Sequence, residues 1–176
     1  MHNYYQFFKE QGFNCGQVLT TKDNFTDETS YLNQKNCMQV MLDAGIIPIV
    51  NENDTVAIHE LMFTDNDELA GLIATMMGVS ELIILSNVDG VFTGDPADPA
   101  SKLIRSIDPT DDSILEYIGE KKSTAGRGGM KTKFNMARKI AGQGIEVIIA
   151  NGKRDDILPS IMHGSDAVPY SRFKTL

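Results

Sequence analysis

The chain has 176 residues, the size of a single domain, and its 41% of apolar residues and mean hydropathy of -0.19 exclude a disordered or collagenous chain. No apolar run approaches the ~18 residues needed to cross a bilayer, and the first residues lack the order of a signal peptide, so we expect a soluble, cytoplasmic protein without a membrane partner. Two cysteines and three scattered histidines predict neither a disulfide framework nor a metal site built from protein ligands alone.

The net charge of -8 is spread unevenly along the chain. Residues 36–101 contain 11 acidic residues and no Lys or Arg, whereas residues 102–176 contain 13 basic and 9 acidic residues. Seven basic residues fall within 19 positions that include no acid: Lys121, Lys122, Arg127, Lys131, Lys133, Arg138 and Lys139. Such a patch suits a small anion, while the acidic whole disfavours nucleic acid. A solvated helix face is the other interpretation, and charge alone favours it.

Hydrophobic periodicity predicts an alternation of helices and strands along the chain. Apolar residues at helical spacing, with glycine stops, predict helices at 4–11, 37–44, 69–77, 112–118, 129–141 and 155–163. Short apolar runs predict strands at 16–20, 46–50, 82–85, 103–107, 147–150 and 167–170. This alternation is typical of an α/β protein whose mostly parallel sheet is covered on both faces.

Three polar segments lie where open α/β sheets bind their ligands: two follow predicted strands and one opens a predicted helix. The first segment is Asn51-Glu52-Asn53-Asp54, and the second is Thr64-Asp65-Asn66-Asp67-Glu68 at the start of a helix. The third is Ser86-Asn87, followed by Val88-Asp89-Gly90. Turn formation and helix capping explain some of these residues, but three acidic or amide residues are more than one cap requires.

The segment Ser123-Thr124-Ala125-Gly126-Arg127-Gly128-Gly129-Met130-Lys131-Thr132-Lys133 is rich in glycine and lysine. Glycines let backbone N–H groups approach phosphate oxygens, and the helix that follows adds its dipole. The spacing fits neither the P-loop nor the dinucleotide fingerprint. A phosphate cradle and a flexible loop before a basic helix both stay open on this motif alone.

Taken together, the segments 46–56, 65–69, 88–96 and 128–133 resemble the amino acid kinase family, most closely its members that phosphorylate the γ-carboxylate of L-glutamate. The resemblance runs in order from about Tyr4 to near the C-terminus. It implies a three-layer α/β/α fold with a mostly parallel central sheet that lacks its first strands. It also implies one domain over residues 1–176, equivalent to the C-terminal part of the kinase domain, with no PUA domain.

The resemblance assigns roles position by position. Asp54 and Asn66 match glutamate contacts, and Asp67 matches the residue that organises the catalytic lysines. Lys133 matches the lysine that touches the transferring phosphoryl group. The matched ATP contacts are Ser86, Asn87, Arg127, Gly128, Gly129, Met130, Lys131, Thr132 and Lys133.

The implied chemistry suits these residue types. A glutamate carboxylate has an ordinary pKa of about 4.3, so near pH 7 the nucleophile is already ionised and needs no general base. The reaction needs two anions in line and the charge of the phosphoryl group offset by lysine, backbone N–H groups and Mg²⁺. Mg²⁺ would be held mainly through the ATP phosphates. The assignment expects the carboxylate-rich segments and the cationic loop to face one crevice.

The chain departs from the family pattern in two respects. The glycine-rich phosphate turn, its lysine and the glutamate-binding serine that precede the matched segments in the family are not in this sequence, so we expect little or no kinase activity from these 176 residues alone. In addition, Ser86 and Asn87 stand where the family more often has Thr and Asp. Serine keeps the hydroxyl, whereas asparagine loses a charge.

Two other classes stay open at this point. One is a related kinase with another acceptor, such as aspartate, acetylglutamate or UMP, and the other is a non-catalytic nucleotide-binding or assembly module. The resemblance also implies a homo-oligomer, a place in the first step of proline biosynthesis and a hand-off of the product to γ-glutamyl phosphate reductase.

Overall fold

The structure, a computed structural model, describes residues 1–56, 63, 65–118, 129–165 and 167–176. The chain divides into two compact units, Met1–Met77 and Gly78–Leu176. Arg127, Gly128 and most of the glycine-rich loop lie outside the described residues, as do Thr64, Lys121 and Lys122. The expectation of one domain over residues 1–176 stays a prediction.

The first unit is built around two parallel strands. Its elements are α1 (His2–Glu10), β1 (Asn14–Thr20), a 3₁₀ turn (Lys22–Phe25), α2 (Glu28–Asp43), β2 (Ile46–Glu52) and α3 (Asn66–Met77). β1 and β2 pair in register from Asn14 opposite Ile46 to Thr20 opposite Glu52. Val18, Met38 and Met76 form the buried centre, where β1, α2 and α3 meet.

Helix α2 is longer than predicted and buries a different face. It begins at Glu28 because the Asp27 carboxylate accepts the Ser30 N–H at 2.8 Å and so caps its first turn. Its buried residues are Gln34 and Met38, whereas Val40, one of the apolar residues that predicted the helix, is 66% exposed. The apolar spacing failed here because a polar side chain, Gln34, takes an inward position.

The second unit holds a four-stranded sheet in the order β3-β5-β6-β4. Its elements are β3 (Glu81–Ser86), β4 (Ser106–Ile107), a 3₁₀ turn (Asp112–Glu116), α4 (Met130–Ala141), β5 (Glu146–Asn151), α5 (Ile157–Met162) and β6 (Tyr170–Phe173). β3 pairs parallel with β5 and β4 pairs parallel with β6, while β5 and β6 are antiparallel. The predicted α/β class with mostly parallel strands is confirmed, and the described strands form two sheets, one in each unit.

Two predicted strands of this unit were placed wrongly. The last strand is Tyr170–Phe173, not 167–170, and the strand predicted at 103–107 is confined to Ser106–Ile107. Ser171 and Arg172 interrupt the apolar pattern of β6, so the pattern ended too early. Ser171 is nevertheless fully buried, because its hydroxyl accepts the Val91 N–H and donates to the Ile104 carbonyl.

The middle of the second sheet is buried on both faces. All four residues from Val147 to Ala150 are fully buried, which explains why this strand reads as a continuous apolar run. Helix α5 contributes Ile157 and Ile161 to a cluster with Ile148 and Ala150. Helix α4 packs against β5 and β6, with the rings of Phe134 and Phe173 5.3 Å apart.

Candidate functional site

In the first unit, the predicted glutamate contacts lie after β2 and at the start of α3. Asp54 is exposed in the turn that follows β2, and Asn66 is the exposed first residue of α3. Asp67 is half-buried in the first turn of the same helix. The Phe63 N–H donates to the Glu52 carboxylate at 3.0 Å, which ties the segment before α3 back to the end of β2. The structure thus places the two polar segments in one part of the unit.

Their neighbours have structural roles. Asp65 caps α3 by accepting the Glu68 N–H at 2.9 Å, and Glu68 lies 3.5 Å from the Lys22 ammonium. The Glu52 carboxylate accepts the Phe63 N–H. These contacts account for three of the acidic residues in the two segments. Asp54, Asn66 and Asp67 are the predicted site residues of these two segments.

Lys22 is a residue of this region that the sequence did not single out. It belongs to the 3₁₀ turn after β1, and its ammonium lies 5.9 Å from the centre of the Phe63 ring in addition to its contact with Glu68. Because β1 and β2 are parallel, their carboxyl ends meet at one edge of the sheet, and the residues after each strand gather there. That rule, applied to β1 as well as β2, would have pointed to Lys22.

Thr20, the last residue of β1, centres a buried polar network at the same edge. Its hydroxyl lies 2.8 Å from the Gln34 side-chain oxygen and 3.0 Å from that of Asn24, which already accepts the Thr21 N–H. One hydroxyl proton cannot serve both oxygens, so the geometry favours the alternative amide orientation of Gln34, with its nitrogen donating to Thr20. One polar atom of the Gln34 amide then has no partner among the described residues.

In the second unit, the predicted nucleotide contacts Ser86 and Asn87 lie where β3 ends. Ser86 is the last residue of the strand, and its hydroxyl is 3.4 Å from the side-chain oxygen of the exposed Asn87. Asn151, the last residue of β5, lies opposite Ser86 in the parallel register. Polar groups from the ends of two adjacent parallel strands therefore share one edge of the sheet.

The turn after Asn87 is held by residues far away in sequence. Arg154 binds the Asp89 carboxylate at two points, each 2.7 Å, and Asn151 donates to it at 3.1 Å. The Arg154 guanidinium lowers the pKa of Asp89 below its ordinary value, against a smaller opposing effect of partial burial. Asn151 and Arg154 carried no local signal, since the pairing of β3 with β5 brings them there.

Gly90 follows Asp89 at a position where only glycine fits. Its φ of 153° is one that residues with side chains rarely adopt, and a Cβ there would lie 2.9 Å from the Ser171 backbone nitrogen and closer still to its hydroxyl. The fold of this turn therefore requires glycine at position 90.

The described part of the glycine-rich loop leads into α4. Gly129 is the N-cap of the helix, in extended conformation, and its carbonyl accepts the N–H groups of Thr132 and Lys133 at 3.1 and 3.2 Å. Lys133 is half-buried and precedes Phe134, whose fully buried ring anchors this turn of the helix. Lys131 is exposed, and Met130 and Thr132 are half-buried.

The first turn of α4 carries unusual charges for a helix start. α2 and α3 begin with aspartate caps and acidic residues, which the positive end of the helix dipole favours. The first turn of α4 has no acidic residue and includes Lys131 and Lys133. Cationic side chains next to the backbone N–H groups that open a helix are a combination that suits a phosphate group.

The predicted site residues that the structure describes fall into two groups. Asp54, Asn66 and Asp67 belong to the first unit, and Ser86, Asn87 and residues 129–133 belong to the second. The predicted crevice stays a prediction. Among the described residues, no group of three or more His, Cys, Asp or Glu is arranged to hold a metal ion. Within the same ranges, no helix is both long and apolar enough to span a bilayer.

These features define an α/β protein with polar groups at the carboxyl ends of parallel strands, the place where open α/β sheets bind small ligands. The chain belongs to the amino acid kinase family, whose sequence model matches residues 1–151. The family resemblance found in the sequence is thereby confirmed.

The chain is similar to two curated glutamate 5-kinases. It is 58% identical over 173 residues to that of Bacteroides thetaiotaomicron, covering 98% of this chain and 48% of the relative. It is 51% identical over 160 residues to that of Chlorobaculum tepidum, covering 91% and 44%. The chain therefore spans about half the length of the curated relatives it matches.

Solved structures agree on the fold. The isopentenyl phosphate kinase of T. acidophilum, in a product complex, matches with a TM-score of 0.65 at 18% identity, over 94% of this chain and 62% of that one. The UMP kinase of Ureaplasma parvum matches with a TM-score of 0.61 at 13% identity, over 95% and 63%. At these identities the likeness concerns the fold alone.

Proposed function

We propose that the protein of which this chain forms part or whole transfers the γ-phosphoryl group of ATP to the γ-carboxylate of L-glutamate. The observation that carries this proposal is the 58% identity, over nearly the whole chain, to a glutamate 5-kinase, with the motif residues in place. The product, γ-glutamyl phosphate, is the first intermediate of proline biosynthesis.

In the first unit, Asp54, Asn66 and Asp67 are proposed to act on the amino acid. A carboxylate such as Asp54 attracts the substrate ammonium, and the amide of Asn66 can bond to a carboxylate. Residues 1–77 carry 11 acidic and 3 basic side chains, which favours the ammonium end of a zwitterion over a plain dianion. Asp67 is proposed to orient the catalytic lysine.

In the second unit, the strand-end pair Ser86-Asn87 and the start of α4 are proposed to bind ATP. Backbone N–H groups of the first turn of α4 and the ammonium of Lys133 suit the phosphates, and Arg127 and Gly128 are included in this proposal by resemblance. Mg²⁺, when bound, offsets charge on the phosphates. The protein's own contribution is to hold the phosphates and the carboxylate, which requires no proton transfer.

Substrate preference separates this proposal from other acceptors. The experiment uses a chimera in which the matched 173 residues of this chain replace the equivalent segment of the Bacteroides thetaiotaomicron relative, so that the flanking segments are supplied. The chimera is incubated with ATP and Mg²⁺, and ADP release is measured for every acceptor. For the carboxylate acceptors, hydroxylamine also traps the acyl phosphate as hydroxamate. We expect turnover with L-glutamate and little with L-aspartate, N-acetylglutamate or UMP.

A folded chimera that forms no hydroxamate from L-glutamate, or prefers another acceptor, would contradict the proposal. Binding of ATP without any turnover would favour the alternative of a nucleotide-binding or assembly module. The 176-residue chain is assayed in parallel, and ordinary turnover by it would contradict the expectation that it is inactive alone.

The setting of this activity is part of the same proposal. We propose a cytoplasmic homo-oligomer that hands its labile product to γ-glutamyl phosphate reductase. Light scattering measures the oligomeric state, and a monomer at micromolar concentration would contradict that part.

A further inference from the structure

The turn after β3 is fixed by contacts that the proposed transfer does not itself use. Asp89 lies two residues after the proposed ATP contact Asn87, and it receives three hydrogen bonds, two from Arg154 and one from Asn151. The Arg154 pair is bidentate, the geometry that restricts both partners most. Arg154 is nevertheless 44% exposed, so this pair lies at the surface and contributes little stability.

The segment that supplies these bonds is attached to the other end of the same turn. The Gly152 N–H donates to the Ser86 carbonyl at 2.9 Å, and the Asn151 side-chain oxygen accepts the Lys153 N–H at 3.0 Å. Residues 151–154 therefore form hydrogen bonds to both ends of the turn, at Ser86 and at Asp89. Asn87, between these two points, is exposed.

An exposed side chain between two fixed points is presented to a ligand with little loss of conformational freedom on binding. Loosening either point would let Asn87 and the Ser86 hydroxyl sample other positions. Ligand affinity would then fall although neither contact residue has changed.

We propose that Arg154 and Asn151 are positioning residues for the nucleotide, acting through Asp89 to hold Ser86 and Asn87 in their binding conformation. This inference rests on the proposed nucleotide site. It also gives the Asp89 of the Asp-Gly motif a role beyond that of the turn itself.

A second ion pair, near the other end of β5, provides a control. Arg172 of β6 lies 3.1 Å from Glu146, the first residue of β5, whereas Asn151 is the last residue of that strand. The two pairs have similar exposure and lie near opposite ends of β5. A purely structural effect would be shared by both.

The experiment measures binding of Mg·ATP and, separately, of L-glutamate to the 176-residue chain by calorimetry. Asp89→Asn and Arg154→Gln are each expected to raise the Kd for ATP about tenfold, and the double variant to raise it no further than either single one. The Kd for L-glutamate should stay within about twofold. Arg154→Lys keeps the charge without the two-point geometry and should fall between wild type and Arg154→Gln. Glu146→Gln and Arg172→Gln should leave the ATP affinity unchanged.

An unchanged Kd for ATP in a folded Arg154→Gln or Arg154→Lys variant would overturn the inference, as would an equal loss in the Arg172→Gln control. If the wild-type chain binds ATP but not L-glutamate, the acceptor assignment fails while the positioning role is still decided by the ATP series. If the wild-type chain binds no ATP, the nucleotide site and the positioning role fail together.

Discussion

Lys133 is the residue on which the proposed chemistry depends most directly. Replacing it by methionine keeps the length of the side chain and removes the charge that would offset the moving phosphoryl group. We predict that Lys133→Met lowers the kcat of the chimera about 100- to 1,000-fold, as expected when one preorganised electrostatic contact to a transition state is lost.

Lys139 provides the control for this substitution. It lies on the same helix, in its last turn, and is exposed. Lys139→Met should leave the kcat within about twofold. Equal kcat values for the two variants in the hydroxylamine assay, at comparable thermal stability, would refute the role of Lys133.

Asp89 links stability to pH. Its folded-state pKa lies below the ordinary value of about 3.9, chiefly because Arg154 bonds to the ionised form. The stabilisation is therefore fully present above about pH 5 and is lost as the pH falls through the folded-state pKa. We predict that Asp89→Asn lowers the free energy of unfolding by about 1 kcal/mol at pH 7, a value reduced by exposure of the guanidinium, and that this difference shrinks towards pH 3.

Urea unfolding followed by circular dichroism at pH 7, 5, 4 and 3 measures this difference. Asp155→Asn removes an equal charge next to Arg154 in sequence, where no hydrogen bond to the guanidinium is lost. A difference for Asp89→Asn that grows, or stays constant, towards pH 3 would show that the pair with Arg154 is not its source.

At the scale of elements, the turn from β3 depends on glycine at position 90. Gly90→Ala would force a strained φ and press a methyl group against Ser171, so we predict a loss of about 2 kcal/mol or more in the free energy of unfolding. Gly142, after α4, has a φ of -63° and no contact closer than 3.5 Å for an added methyl group. Gly142→Ala should be neutral or stabilise by up to about 1 kcal/mol.

Thermal and urea unfolding of the two variants tests this contrast. Because both substitutions add one methyl group to a glycine beside a regular element, the change in the unfolded chain is the same. Similar stability of the two variants would mean that the turn can relax around a side chain at position 90.

The elements that the sequence predicted well are those with an uninterrupted apolar run or a regular apolar face. β5 reads as a continuous apolar run because it is fully buried from Val147 to Ala150. β2 and β3 were also predicted from apolar runs, although most of their residues are only partly buried. The predicted inward face of α4 also holds at Phe134, Ala137, Ile140 and Ala141, which are buried. Elements were misplaced where a polar residue took an inward position, as Gln34 does in α2 and Ser171 in β6.

The same distinction applies to the candidate site. Ser86, Asn87 and Asp54 could be predicted at strand ends because each lies at, or just after, the end of an apolar run. Asn151 and Arg154 could not, since they reach Asp89 only through the pairing of β3 with β5 across 62 and 65 residues. Contacts of that kind depend on the order of strands in the sheet, which local patterns do not specify.

At the scale of the whole molecule, the charge divides with the two units. Residues 1–77 carry 11 acidic and 3 basic side chains, while residues 78–176 carry 13 of each. The entire net charge of -8 therefore belongs to the first unit. The negative charge of the first unit disfavours binding of the ATP phosphates there. The second unit has no net charge, so a local group of cations, such as that at the start of α4, is enough to favour ATP binding.

This division predicts where each ligand protects the backbone. Mg·ATP should slow amide hydrogen exchange in residues 86–89 and 129–133, because binding holds the turn after β3 and occupies the N–H groups that open α4. L-Glutamate should slow exchange in residues 51–54 and 66–68. Glutarate, which lacks the ammonium group that Asp54 is proposed to attract, should give weaker protection there at the same concentration.

Amide hydrogen exchange of the 176-residue chain, followed by mass spectrometry, measures protection in both units in one experiment. Each unit serves as the reference for the other. Protection by ATP confined to residues 51–68, or by L-glutamate confined to residues 86–89 and 129–133, would reverse the assignment of the two sites. Equal protection by glutarate and L-glutamate would instead contradict the proposed contact between Asp54 and the substrate ammonium group. If Asp54 binds that group, L-glutamate must bind better than glutarate, which lacks it.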